Sequence, residues 1–159
     1  MKALVAYFSA SGVTAKLAQT LAGAIGAELY EIRPQTPYTA EDLDWRDKRS
    51  RSSIEMDDPS CRPPLADTDA AVAGADAVFI GFPVWWYREP SIIDSFLEAY
   101  DFTDKIIIPF ATSGSSGIGD SGKRMQTIVG KKTEVLEGRR FPTGTTAADL
   151  AKWVREMEL

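Results

Sequence analysis

Ser9-Ala10-Ser11-Gly12-Val13-Thr14 lies between two segments of opposite character. Before it runs Met1-Lys2-Ala3-Leu4-Val5-Ala6-Tyr7-Phe8, an apolar stretch of strand length. After it comes Lys16-Leu17-Ala18-Gln19-Thr20-Leu21-Ala22, in which Leu17 and Leu21 are four residues apart and alanine favours helix. The six residues are therefore a strand-to-helix turn. Ser9, Ser11 and Thr14 bring hydroxyl donors, Gly12 lets the main chain approach a ligand closely, and the new helix adds unpaired N–H groups at its positive end. That combination suits a phosphate. The same residues are also ordinary helix-capping chemistry, so both readings stand at this point. The chain has neither G-x-x-x-x-G-K-[ST] nor G-x-G-x-x-G, so a phosphate here is a monoester held by hydroxyls and amides.

Further along, apolar runs alternate with helical patterns. Ala27–Ile32 alternates as an edge strand does, with Gly23 and Gly26 before it and Pro34 and Pro37 after. Asp76–Phe82 and Lys105–Ala111 are near-continuous buried strands, and Thr133–Glu137 is a short one. Helices are expected over Ile92–Tyr100, Gly119–Val129 and Thr146–Met157, the last entered through a Thr146-x-x-Asp149 cap with Leu150, Trp153 and Val154 facing inward. The charged segment Ala40–Arg51, anchored by Leu43 and Trp45, is expected to form a solvent-facing helix, and the proline-rich 57–64 stretch a loop. Strands buried on both faces and alternating with helices imply a parallel sheet of five strands covered on both sides, within a single domain spanning 1–159.

In such a sheet ligands bind beyond the carboxyl ends of the strands, where the winding reverses. Three loops leave those ends. The first is Ser9–Thr14. The second is Pro83-Val84-Trp85-Trp86-Tyr87-Arg88-Glu89-Pro90, with three aromatics where a loop is normally polar. The third is Thr112-Ser113-Gly114-Ser115-Ser116-Gly117-Ile118-Gly119, whose small residues let the main chain lie flat against a partner. Three adjacent aromatics are also common core material, but their place in this loop points to a ligand. A phosphate cradle, an aromatic wall and a small-residue wall together describe a pocket for flavin mononucleotide, FMN.

Composition narrows the chemistry. The 44% hydrophobic and 26% charged fractions are those of a globular chain, with no run long enough to cross a membrane. The expected compartment is the cytoplasm, consistent with a single cysteine, Cys61, that can form no internal disulfide. No histidine is present, which removes the commonest general base and metal ligand, and no metal site or catalytic residue is assigned. Cys61 precedes Arg62 but lacks the Cys-x5-Arg loop of a phosphatase, so it is taken as structural. Residues 1–120 carry 10 basic and 18 acidic side chains, and residues 121–159 carry 8 and 5. The acidic excess disfavours nucleic acid and suits a basic protein partner.

With these loops in view, the chain resembles the flavodoxins over nearly its whole length. Ser9–Thr14 is similar to the family's phosphate loop, Pro83–Tyr87 to the flavin loop of a branch with a Pro-x-Trp-Trp signature, and Thr112–Gly119 to that branch's third loop. Asp57-Asp58-Pro59-x-x-Arg62-Pro63 resembles another recurring segment. The resemblance implies a three-layer α/β/α sandwich with strand order 2-1-3-4-5. It also implies FMN held by Ser9, Ala10, Ser11, Gly12, Val13, Thr14, Pro83, Val84, Trp85, Trp86, Tyr87, Thr112, Ser113, Gly114, Ser115 and Gly119. An electron carrier between redox proteins, reduced by a flavoprotein reductase, is the implied role. The third loop lacks the aromatic that many flavodoxins place there, so one ring face is open or capped from the 46–64 segment. An open face keeps an FMN-dependent NAD(P)H oxidoreductase acting on quinones or nitro compounds as the alternative. Arg88 and Glu89 lie close enough in sequence to reach the ring, but Glu89 reads more simply as helix-start charge.

Overall fold

The computed structural model describes residues 1–113 and 116–159. β1 (Ala3–Tyr7) leads through the first loop into α1 (Val13–Ile25), and Gly26, left-handed at φ 66°, ends that helix. The remaining elements are β2 (Glu28–Glu31), α2 (Arg51–Asp57), β3 (Ala77–Pro83), α3 (Ser91–Ala99), β4 (Ile106–Thr112), α4 (Ser121–Val129), β5 (Glu134–Val135), β6 (Arg139–Phe141) and α5 (Ala147–Glu156). Among the described residues the named strands pair in parallel, and the order β2-β1-β3-β4-β5 is the one implied by the resemblance.

Period-two alternation sends neighbouring residues of each central strand to opposite faces. Leu4, Ala6, Val78, Ile80 and Ile107 pack with Ile92, Ile93 and Phe96 of α3 and Met125 of α4. Val5, Tyr7, Ala77, Phe79, Ile108 and Phe110 pack with Leu17 and Leu21 of α1 and with Leu150 and Trp153 of α5. Thr146 and Asp149 form the expected reciprocal cap of α5. Among the described residues, no helix is long and apolar enough to cross a membrane.

Two expectations need correction. The fifth strand position is filled in two pieces, so among the described residues the sheet has six strands rather than five: β5 pairs Ile106–Ile107 and β6 pairs Phe110–Thr112. The break falls beside Pro109, where a Cβ on Gly138 (φ +78°) would lie 2.2 Å from the Pro109 carbonyl oxygen, too close for a regular ladder. The segment Ala40–Arg51 is a series of turns, and the helix starts only at Arg51, capped by the Ser50 hydroxyl accepting from Ser53 N–H. Local side chains capture the main chain there. Asp44 and Asp47 accept from the amides of Arg46 and Arg49, while Thr39 and Asp42 bond each other's amides. Such short polar side chains offer the backbone an alternative to helix.

Candidate functional site

The carboxyl ends of β1, β3 and β4 point the same way and carry the three loops of interest. Each loop has its own geometry. In the first, Gly12 is left-handed at φ 91°, its N–H donates to the Ser9 hydroxyl at 3.1 Å, and α1 begins without a side-chain cap or an acidic residue in its first turn. A Cβ on Gly12 would meet nothing within 4 Å, so the space above the helix start is open. An uncompensated positive helix end facing open space fits a phosphate. Ser11, Gly12, Val13 and Lys16 line a hollow of about 300 Å³ there, closed by Thr112 and the turn Thr143–Thr145. Thr14 is buried, and its hydroxyl bonds that of Thr112 at 2.7 Å, tying the first loop to the third. Ala10 is half-buried against the core.

The second loop starts in register with the third: Pro83 pairs Thr112, and Val84 N–H donates to the Thr112 carbonyl at 2.9 Å. Trp85 and Arg88 then exchange main-chain hydrogen bonds of 3.0 and 3.2 Å around a two-residue turn with Trp86 at φ 47° and Tyr87 at φ 65°. Two positive values make a primed hairpin turn, a geometry that normally selects Asn-Gly. A side chain in this region costs roughly 1–2 kcal/mol per residue. Trp85 packs edge-on against Phe8 and Tyr38, at centroid distances of 5.6 and 5.5 Å. Trp86 and Tyr87 are instead 44% and 76% exposed.

Val84, Trp85, Trp86, Tyr87 and Ser116 line a cleft of about 880 Å³ whose far wall is Leu43, Trp45 and Ser52. That volume is in the range of small-molecule and cofactor sites. Of that wall only Ser52 belongs to the 46–64 segment considered above as a possible cap; Leu43 and Trp45 precede it. Trp45 is 67% exposed rather than anchoring a helix. Its role in the cleft was hidden because the turns that present it replace the expected helix.

In the third loop, the Ser113 hydroxyl donates to the Ser116 carbonyl, and Arg140 holds Ser113 through Nε (3.2 Å to Oγ) and Nη2 (3.0 Å to the carbonyl). Gly119, at φ +63°, lies so close to the aromatic turn that a Cβ would stand 2.1 Å from the Tyr87 carbonyl oxygen. The candidates Gly114 and Ser115 lie outside the described residues. Among the described candidates, Ser9, Ala10, Thr14, Pro83, Ser113 and Gly119 line neither hollow nor cleft, and the others form two groups. Ser11, Gly12, Val13 and Thr112 share the hollow at α1, and Val84–Tyr87 share the cleft with Ser116.

Arg88 and Glu89 turn away from the cleft. Glu89 is not a solvated helix-start charge: it is fully buried and bonds Arg124 Nε at 3.1 Å, while Arg124 Nη2 donates to the equally buried Asp94 at 3.0 Å. Nothing in the sequence spacing pairs these positions, because α3 and α4 meet only in the folded state. Cys61 is half-buried, and burial followed by the charges of Glu55 and Asp58 pushes its thiol up, away from thiolate reactivity. Among the described residues, no group of three or more His, Cys, Asp or Glu side chains is placed to hold a metal ion.

A flavodoxin family model matches residues 2–157. Among solved structures, a candidate flavoprotein from Bacteroides eggerthii is 42% identical, with 99% of this chain and 98% of that chain covered and a TM-score of 0.93. Another from Bacteroides uniformis is 46% identical over 97% of each chain, with a TM-score of 0.89. A flavoprotein from Lactobacillus acidophilus, solved in complex with FMN, is 22% identical over 96% of this chain and 98% of its own, with a TM-score of 0.71, which is a likeness of fold. No curated protein matches. A family pattern that runs almost from end to end, together with relatives this similar over both full chains, places the chain in the flavodoxin family.

Proposed function

We propose that the chain binds FMN and carries electrons between redox proteins. Its phosphate would lie at Ser9–Thr14, and its ring against Trp85, Trp86 and Tyr87. Pro83, Val84, Thr112, Ser113, Gly114, Ser115 and Gly119 complete the cradle. The observation that carries this reading is the Trp86-Tyr87 turn, where strained backbone holds two large rings out beside an 880 Å³ cleft. Strain and apolar exposure are both unfavourable for an empty chain, and a planar ligand offsets the exposure. Bound flavin supplies the electron-accepting ring. The chain's own residues orient it: the open α1 end and the loop hydroxyls take the phosphate, Trp85 braces the turn against Phe8 and Tyr38, and Ser113 is fixed by Arg140.

The acidic excess of residues 1–120 favours docking by a basic protein, with association that weakens as salt rises. A second reading, an FMN-dependent oxidoreductase acting on quinones or nitro compounds, draws on the cleft of about 880 Å³ between the aromatic turn and the wall of Leu43 and Trp45. Stopped-flow reduction separates the two. A carrier is reduced slowly by NADH or NADPH alone and fast once a flavoprotein reductase is added. Rapid, saturable reduction by free NAD(P)H, insensitive to the reductase, would sink the carrier reading. Parallel titrations of apoprotein test the cofactor itself, with FMN expected to bind much more tightly than riboflavin.

A further inference from the structure

We propose that Glu89 and Asp94 form a proton-holding carboxyl pair behind the aromatic turn, and that the proton they share keeps the second and third loops positioned to receive FMN. This rests on the FMN reading above and concerns the regulation of that site.

The pair is defined by geometry. Both side chains are fully buried, and both converge on the guanidinium of Arg124. One guanidinium serves both: Arg124 Nε lies 3.1 and 3.4 Å from the Glu89 oxygens, and Nη2 lies 3.0 Å from Asp94 Oδ2. Two further arginines approach, but they favour the same oxygen at longer range, Arg62 at 3.7 Å and Arg88 at 3.8 Å from Oδ2. Their N–H groups also serve backbone carbonyls, Arg62 those of Pro59 and Cys61, and Arg88 those of Glu89 and Met56. Arg62 is ion-paired with Glu98 at 3.0 Å, which draws its charge away from the pair. From α2, the Glu55 carbonyl accepts from Ser91, and the Met56 carbonyl and sulfur accept from Arg88 and Ser91. Asp94 Oδ1 is left buried with no donor, and among the described residues no other buried side-chain oxygen is in that position.

A proton on Glu89 resolves this arrangement. As an acid it donates to Asp94 and keeps a carbonyl oxygen for Arg124, so two carboxyls and one guanidinium close as a neutral set. Burial first, then the negative charge of Asp94, push Glu89 up to about 8, with Arg124 opposing. Asp94 is raised by burial but held down by the bond from Glu89 and by Arg124 and Arg62. Burial raises both carboxyls, so the proton belongs to the pair.

The position explains the consequence. Glu89 directly follows Arg88, which closes the Trp85–Arg88 turn, and Arg124 stands near the start of α4, just after Gly119, which rests on the Tyr87 carbonyl. Losing the proton leaves two buried negative charges sharing one direct partner at the junction of the two loops.

The test is FMN affinity against pH, read by quenching of flavin fluorescence in the full chain and in Glu89→Gln. The glutamine amide donates to Asp94 and accepts from Arg124 at every pH. Burial raises the carboxyl, so wild-type affinity should weaken as pH rises through its titration, by about tenfold over the two pH units centred on the midpoint. The variant should change less than about twofold. A flat wild-type profile, or an equal fall in the variant, overturns the proposal. Urea unfolding of the apoprotein reads the same proton without flavin. A carboxyl raised from 4.5 to about 8 holds a proton in the native state that the unfolded chain has lost. Wild-type stability should therefore fall between those pH values and level off above them, by more than in Glu89→Gln. If no FMN binds at any pH, the FMN reading fails while the urea profile still decides for or against the pair. If Glu89→Gln does not fold, Asp94→Asn removes the like charge and should move the wild-type breaks to lower pH. Unmoved breaks refute the idea.

Discussion

Gly119→Ala probes whether the second and third loops work as one unit. At φ +63° an alanine pays roughly 1–2 kcal/mol in backbone strain. Its Cβ would also stand 2.1 Å from the Tyr87 carbonyl oxygen, nearly 1 Å inside any tolerable contact, and relieving such overpacking typically costs about 1–3 kcal/mol. The sum, roughly 2–5 kcal/mol, is within the 5–15 kcal/mol that holds a typical domain together, so the variant should still fold. Relief requires the carbonyl to move, and that carbonyl belongs to the turn presenting the Trp86 and Tyr87 rings. Affinity for FMN should therefore fall at least about tenfold on top of the lost stability, equivalent to about 1.4 kcal/mol. Gly138→Ala is the matched control. It has φ +78° and a Cβ 2.2 Å from the Pro109 carbonyl, but it sits at the break between β5 and β6, away from the cleft. Urea unfolding should show comparable losses for the two variants, and flavin titration should show an affinity loss for Gly119→Ala alone. Equal effects on affinity, or none for Gly119→Ala, would refute the coupling of Gly119 to the aromatic turn.

The two tryptophans should separate cleanly. Trp86→Ala is expected to cost about 1 kcal/mol of FMN affinity and to restore flavin fluorescence with little change in unfolding. Trp85→Ala, which removes the brace on Phe8 and Tyr38, should lose roughly 2–3 kcal/mol of stability in urea; the reverse pattern would move the ring to Trp85. Thr14→Ala leaves the buried Thr112 hydroxyl unpaired and should destabilise by about 1–2 kcal/mol. Thr14→Ala combined with Thr112→Val should cost less than the sum of the single changes, and strict additivity in a double-mutant cycle would show that the 2.7 Å contact contributes nothing.

The central strands were legible because their signal is local. Asp76–Phe82 and Lys105–Ala111 are apolar on both faces, and only a sheet covered by helices on both sides buries such runs, so β3 and β4 lie within one residue of the expected ends. Segment 40–51 misled because charge and two apolar residues suggested a helix face, while Asp42, Asp44 and Asp47 each captured a nearby amide. The propensity of aspartate to make such bonds was available in the sequence. That three successive turns would win over one helix depended also on the Ser50 cap and on what Tyr38 offered from outside the segment. The Tyr38 hydroxyl bonds Glu55 and its ring packs against Arg51, which fixes the start of α2 after the turns.

The aromatic turn shows the same division between local and distant causes. Trp85-Trp86-Tyr87 announces a wall of rings in any reading, but no residue in it favours a left-handed backbone, so the sequence alone predicts neither the turn type nor the exposure of two rings. The conformation is imposed from both ends. Pro83 and Val84 are held in register by Thr112, Arg88 is held by its bonds to the Met56 and Glu89 carbonyls, and Gly119 leaves just enough space for the Tyr87 carbonyl. With both ends fixed and two residues between them, the chain can reverse only by accepting positive φ at Trp86 and Tyr87. The contacts that store this strain come from β4, α2 and the loop that precedes α4. The shape of the cleft is therefore a property of the whole sheet edge and cannot be transplanted with the eight residues of the loop.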